Sequence, residues 1–341
     1  MSARQRGGMT RTLAPAPAAS PVGTTRTRRL LRAVAVLACL PYLGLKIAWI
    51  AGSRAGIPEG SALLDHRVTM IAANGVTLLL DSCVIVLALI LTRPWGLRVP
   101  AWALVFPVWV AGGLLAPIMA GFPLQLLTRA LGGDTATESG PGREPFLNPW
   151  VFGVVYTGFM VQGLALGALF ALYARDRWGH LWRGRVWELP VGVVAGPYRG
   201  VALAGAVLAA FPLAVRLYWA GGGTAGLTDA DRTADLQVLE GMHAGFLVAA
   251  VTGTLLLAFH RARVLPVTAP LASAWVCSGA VGCWGGWMLL AALMPSDDPA
   301  DRPTQLLTVT YAGQMTAGLL LASVGAHFLA RRSAATARTR P

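Results

Sequence analysis

The chain has 341 residues, 55 % of them hydrophobic and only 13 % charged, with a mean hydropathy of +0.59. A soluble domain carries about a quarter charged residues, so a purely water-soluble protein is excluded, and the apolar excess falls in long runs that call for a lipid solvent. The formal net charge is +13, yet the cations lie between the apolar runs rather than along one basic face, which excludes nucleic acid as a partner.

In chain order, residues 1–29 are rich in Pro, Ala, Thr and Arg without periodicity and read as a disordered basic tail. A bilayer core is about 30 Å thick and needs roughly 20 apolar helical residues. Eight segments meet that length, at about 31–51, 68–92, 99–120, 149–174, 200–220, 237–260, 268–294 and 304–329. The expected fold is therefore all-α, a polytopic membrane protein of eight transmembrane helices. With the N-terminus inside, the inner stretches hold 20 cations and the outer loops six. The positive-inside rule then places both termini in the cytoplasm of a bacterial plasma membrane. The inner arginines would also meet anionic lipid headgroups.

The eight segments read as two copies of a four-helix unit. "KIAWIAGSRAGI" (Lys46–Ile57) and "RLYWAGGGTAGL" (Arg216–Leu227) align at an offset of 170, matching Lys46 to Arg216, Trp49 to Trp219, Gly52 to Gly222 and Gly56 to Gly226. "YTGFMVQGLAL" (Tyr156–Leu166) and "YAGQMTAGLLL" (Tyr311–Leu321) align at an offset of 155. The longer loop before the fourth segment absorbs the difference, where length changes belong. An even number of spans per copy makes the repeats parallel. The expected domains are 30–174 and 199–330, joined by a cytoplasmic interfacial linker at 175–198 and followed by a basic tail at 331–341. The first segment then corresponds to an internal helix, so it is structural rather than a cleaved signal.

Lys46 is the only lysine in the chain, and it lies inside an apolar segment. A charge in hydrocarbon is expensive unless it snorkels or pairs. Lys46 lies about 8 Å below the outer end of its span and Asp81 about 20 Å into the next. Helical side chains lean toward the N-terminus, so in antiparallel neighbours these two lean toward each other and pair directly or through one water. In the second copy Arg216 faces Glu240 and His243. Arginine at the place of lysine means that a cation is wanted there and lysine-specific chemistry is not. The ion pairs either fix helix register or line a polar cavity, and Asp81, without an outlet to either surface, is the stronger functional candidate.

Glu240-x-x-His243 puts an acid and an imidazole on one helical face, an arrangement that can bind metal or orient a haem ligand. His66 could approach it, whereas His180, His260 and His327 lie at the other end. The layout of two four-helix halves is similar to haem A synthase, a family with histidines in the second and fourth helices of each half. Here the fourth span has none, the second has only His66 at its edge, and His327 is at the wrong end, so that activity is not carried over. Tyr156 and Tyr311, with Gln162 and Gln314 nearby, hydrogen-bond between helices or line a ligand site. Gly282-x-x-x-Gly286 in "SGAVGCWGGW" reads as close helix packing. The linker "RDRWGHLWRGRVWELP" reads as a segment lying on headgroups. The four cysteines, Cys39, Cys83, Cys277 and Cys283, all fall in apolar segments without a disulfide or metal-binding spacing.

The "PYLGLKIAW" opening and the Arg/Ala/Gly-rich style resemble uncharacterised polytopic integral membrane proteins of actinobacteria, a resemblance that implies no activity. No nucleophile, nucleotide-binding or HExxH motif occurs, and no metal or cofactor is called for. The expected function is a transporter or small-ligand-binding membrane protein with a polar site in the outer half, acting on a small-molecule substrate. Its candidate residues are Lys46, Asp81, Arg216, Glu240, His243, Tyr156 and Tyr311. The alternatives are a membrane-embedded haem or metal redox protein or enzyme, and a non-catalytic subunit or immunity-type partner.

Overall fold

The computed structural model describes residues 25–59, 61, 64, 67–131, 147–189, 196–228, 231–232, 235–260, 264–294 and 302–338. Eight helices form wherever apolar, helix-competent residues persist: α1 (Arg26–Ile50), α2 (Arg67–Ile90), α3 (Ala101–Ala130), α4 (Pro149–Trp178), α5 (Gly196–Ala220), α6 (Leu236–Phe259), α7 (Thr268–Ala292) and α8 (Gln305–Arg338). All eight are long and apolar enough to cross a membrane, and no strand occurs among the described residues. This is the architecture of a multi-pass membrane protein.

Helix ends depart from the hydropathy boundaries where arginine continues the helix. Residues 1–24 of the expected tail lie outside the described residues, but α1 starts at Arg26, with the Thr25 hydroxyl accepting from the Arg28 N–H at 3.4 Å. α4 extends to Trp178 and α8 to Arg338, into the stretches expected as linker and tail. The arginine heads stay solvated or paired while the backbone remains hydrogen-bonded. Arg28 is buried against the Asp176 carboxylate, and Arg177 donates to Tyr173 Oη at 2.6 Å and to the Val99 carbonyl at 2.9 Å.

The linker after α4 is tied to the protein itself. It forms short 3-10 turns, and Val186 N–H donates to the Leu265 carbonyl while Val267 N–H donates to that of Gly184, both at 3.1 Å. Arg332 Nε donates to the Leu181 carbonyl at 2.9 Å.

α5, α6, α7 and α8 pack each on the next and close a ring. In the first half α1 packs on α2 and α4, and α3 on α4, but α2 barely touches α3. Instead α3 lies against α7 of the other half. There Gly113 and Gly279 bring the backbones together, and Trp109 Nε1 donates to Ser278 Oγ at 3.3 Å. The core shared by α1 to α4 gathers toward the end of the bundle holding Leu87, Leu91, Leu104 and Leu169. The other end of the α2–α3 seam is left unfilled.

Two turns share one geometry. Gly52 and Gly222 have φ of +98° and +93°, Gly56 and Gly226 of +75° and +77°. Trp49 Nε1 donates to the Ala55 carbonyl at 2.7 Å and Trp219 Nε1 to that of Ala225 at 3.0 Å. The Gly56 carbonyl accepts from Asn148 N–H at 2.9 Å, and the Gly226 carbonyl from the Thr304 hydroxyl at 2.5 Å. Each turn is thereby tied to the start of the fourth helix of its half.

α7 and α8 cross where glycines meet: a Cβ on Gly318 would lie 2.4 Å from Gly282 Cα and 2.8 Å from the Ser278 carbonyl oxygen. Backbone cannot yield as a flexible side chain does. We predict that Gly318→Ala lowers stability by about 1–3 kcal/mol. Gly167→Ala, with nothing within 4 Å of the new methyl, should be neutral or stabilise by up to about 1 kcal/mol through helix propensity. Thermal unfolding of both variants in detergent checks this.

Candidate functional site

The site begins on the last turns of α1. Tyr42, Lys46 and Trp49 are all buried and follow i, i+4, i+7 spacing, so they share the face turned to α2 and α4. Lys46 Nζ donates to Asp81 Oδ2 at 2.5 Å, so the pair closes directly. Both side chains keep about a tenth of their surface, 11 % for Lys46 and 10 % for Asp81. The ammonium lies 5.2 Å from the Tyr42 ring centroid and 5.9 Å from that of Phe159. Such ring faces stabilise a desolvated cation. Tyr42 in turn donates its hydroxyl to Gln162 Oε1.

The second half answers the same problem with different atoms. Arg216 Nη1 donates to Glu240 Oε1 and Oε2 at 2.6 and 2.7 Å, and Nη2 to Gln314 Oε1 at 2.8 Å. The guanidinium also sits 5.5 Å from the Tyr311 centroid and 5.7 Å from that of Trp219. Glu240 is near the start of α6 whereas Asp81 is past the middle of α2. The Arg216–Glu240 geometry, which the lean of the side chains makes the poorer of the two, nonetheless closes with two short contacts. The planar guanidinium supplies several donors, where an ammonium offers a single point.

The structure separates other residues that the sequence grouped. Tyr311 joins the Arg216 cluster, but Tyr156 lies tilted against Phe122 and stacks on Phe152, with centroids 5.2 and 6.1 Å away. His243 is buried on α6, its ring 6.2 Å from that of Trp284. Among the described residues no three His, Cys, Asp or Glu side chains gather where a metal could be held. His66, the proposed approach to His243, lies outside those residues. His260 caps the far end of α6, where burial and then the Arg199 guanidinium hold its imidazole below the ordinary value.

Beside the Lys46–Asp81 pair lies a cavity of about 440 Å³. It exists because α2 and α3 stand apart. α2 contributes Thr77, Leu80, Asp81, Cys83, Val84 and Leu87, and α3 contributes residues from Phe106 to Ile118. α4 adds Tyr156, Phe159 and Gln162, α7 adds Trp284 and Trp287, and Lys46 reaches in from α1. A smaller hollow of about 120 Å³ shares Ile118, Tyr156 and Trp284 with it and continues to His243 and Gln125. Two roomier hollows of about 650 and 660 Å³ are open apolar grooves on the outside of the helices and carry no charged residue. The 440 Å³ cavity is therefore where volume and chemistry coincide. Near their crossing α6 and α7 touch closely, since a Cβ on Gly253 would lie 2.8 Å from Ala274 N and 2.9 Å from the Pro270 carbonyl oxygen, and the groove of about 660 Å³ beside them carries no charged residue.

Sequence reasoning missed Tyr42, Phe159 and, on α7, Trp284 and Trp287. Tyr42 was within reach, since it lies four residues before Lys46 on the same face. The tryptophans were not, because their role follows from the packing of α3 on α7 across the two halves.

No protein-family model, curated protein or solved structure matches the chain. The functional reading therefore rests on the geometry.

Removing one partner of a buried ion pair strands the other. Arg216→Met is expected to destabilise by about 3–5 kcal/mol, while the double variant Arg216→Met, Glu240→Leu regains most of that loss. A double-mutant cycle by thermal unfolding reads the difference.

Proposed function

We propose that this protein binds a small ligand in the α2–α3 cavity, and carries it, as a transporter of the bacterial plasma membrane. In this reading the chain is two parallel four-helix repeats with both termini cytoplasmic, and the Lys46–Asp81 pair lies in the outer half of the membrane. The arginine imbalance supports the orientation. The paired glycine turns and the tryptophan contacts at equivalent positions support the duplication. Anionic headgroups meet the arginines at the cytoplasmic face.

One observation carries the reading: a buried ion pair forms part of the wall of a mostly apolar, otherwise uncharged cavity of ligand size. Binding pockets are mostly apolar with a few placed polar groups, and span roughly 300–1,000 Å³. Packing alone does not require the pair to adjoin open volume, and this pair does. The second pair behaves differently. Arg216 is 3 % exposed, its partners are other side chains, and none of the cavities described above is lined by Arg216 or Glu240. It serves as the structural counterpart, and Lys46 with Asp81 serves the ligand.

Two outcomes are expected. At matched protein abundance, Asp81→Asn should abolish whatever change in compound uptake or resistance the wild-type protein confers on cells. Loss of abundance instead would assign the pair to folding. Reporter fusions after residue 25 and residue 338 should both be active in the cytoplasm, and a periplasmic signal at either end would overturn the orientation.

A further inference from the structure

We infer that the ligand of this cavity is a neutral, ring-bearing amphiphile drawn sideways from the bilayer, a substrate class that rests on the ligand-binding reading above. The first ground is charge. The lining holds one cation and one anion, Lys46 and Asp81, already bonded to each other, and its remaining polar groups are uncharged. A carboxylate, phosphate or ammonium head would enter with no free countercharge, or would have to split the pair and strand one member in an apolar wall. A hydroxyl, carbonyl or amide needs neither. The lysine ammonium has three donors and spends one on Asp81, and a carboxylate has lone pairs beyond the one in use. An intact ion pair can therefore donate to and accept from a net-neutral head at once.

The second ground is shape. Phe106, Tyr156, Phe159, Trp284 and Trp287 bring five rings to one cavity of about 440 Å³. Flat aromatic walls favour a ring or a conjugated chain, which stacks on them. The third ground is access. The lining takes in both walls of the seam where α2 and α3 barely touch, and Leu80 and Phe106, one on each wall, are 36 % and 61 % exposed, which gives a lateral path where the reading puts lipid.

The test uses the full chain in lipid nanodiscs and three probes of one ring and three charges: pyrenebutanol, pyrenebutyrate and pyrenebutylamine. Energy transfer from protein tryptophan to pyrene reports occupancy, and protein-free discs set the partitioning background. Saturable transfer is expected for pyrenebutanol, with at least tenfold weaker affinity for both charged probes. Val110→Trp, which fills the cavity from α3, should remove the saturable component. The double variant Lys46→Met, Asp81→Asn, which leaves no unpaired charge, should weaken pyrenebutanol at least tenfold.

If a charged probe binds as tightly as the alcohol and Val110→Trp still abolishes it, the neutral-head assignment falls while the cavity keeps its role as binding site. Saturable transfer untouched by Val110→Trp would put the probes elsewhere and overturn the inference. So would no saturable transfer from any probe, and in both cases the Asp81→Asn uptake experiment still decides the transport reading on its own.

Discussion

A lone charge cannot stay in a medium that does not solvate it, and this bundle is organised around that constraint. Born-type costs oblige each buried cation to find an anion, hydrogen-bond acceptors and ring faces nearby. Lys46 takes Asp81 and the Tyr42 and Phe159 rings, and Arg216 takes Glu240, Gln314 and the Tyr311 and Trp219 rings. In each half the cation on the first helix is thereby bound to the second and faced by the fourth. The ionic groups thus fix which helices are neighbours at that level, something that general hydrophobicity cannot do where lipid is as apolar as leucine.

The same solution has been implemented with different slack. In the second half the helix ring is closed, and glycines let α7 meet α6 and α8 at backbone distance. Arg216 meets Glu240, Gln314 and two rings, and it lines none of the cavities described above. In the first half α3 has been recruited to α7, and α2 keeps few contacts beyond α1. The space that a fourth packed neighbour would have filled became a cavity, and the half with the single-point ammonium is the half that holds it. On the proposed reading, ligand binding and stability are divided between two corners of one molecule.

Much of this was legible in the sequence. The eight helices followed from run length and hydropathy, the Lys46–Asp81 pairing from side-chain lean, and the Arg216–Glu240 pairing from similar depth, whereas Arg216 donates to Gln314 rather than bonding His243. The glycine and tryptophan positions that match at an offset of 170 proved to be the same turn. Other features were out of reach for physical reasons. Arginine-rich flanks look like loops to hydropathy, yet α4 and α8 run through them because the backbone is indifferent to where a long side chain ends. Tyr156 and Tyr311 match in sequence and part in space, because the neighbours of each fourth helix differ: α4 packs on α1 and α3, and α8 chiefly on α7 and α5. The cavity itself is a gap between helices, and a gap leaves no mark in the residues of either wall.

The two turns that end α1 and α5 are stapled to the starts of α4 and α8 through the Gly56 and Gly226 carbonyls. α1 and α4 are therefore a rigid frame, latched at one end by that staple and at the other by the Arg28–Asp176 contact. α2 has no comparable latch among the described residues and leans chiefly on α1. Any widening of the slot beside α3 has to be taken up along the α1–α2 seam, and the bond from Lys46 to Asp81 is what crosses that seam. On the proposed reading, the group that faces the ligand is thus also the clasp of α2 on α1.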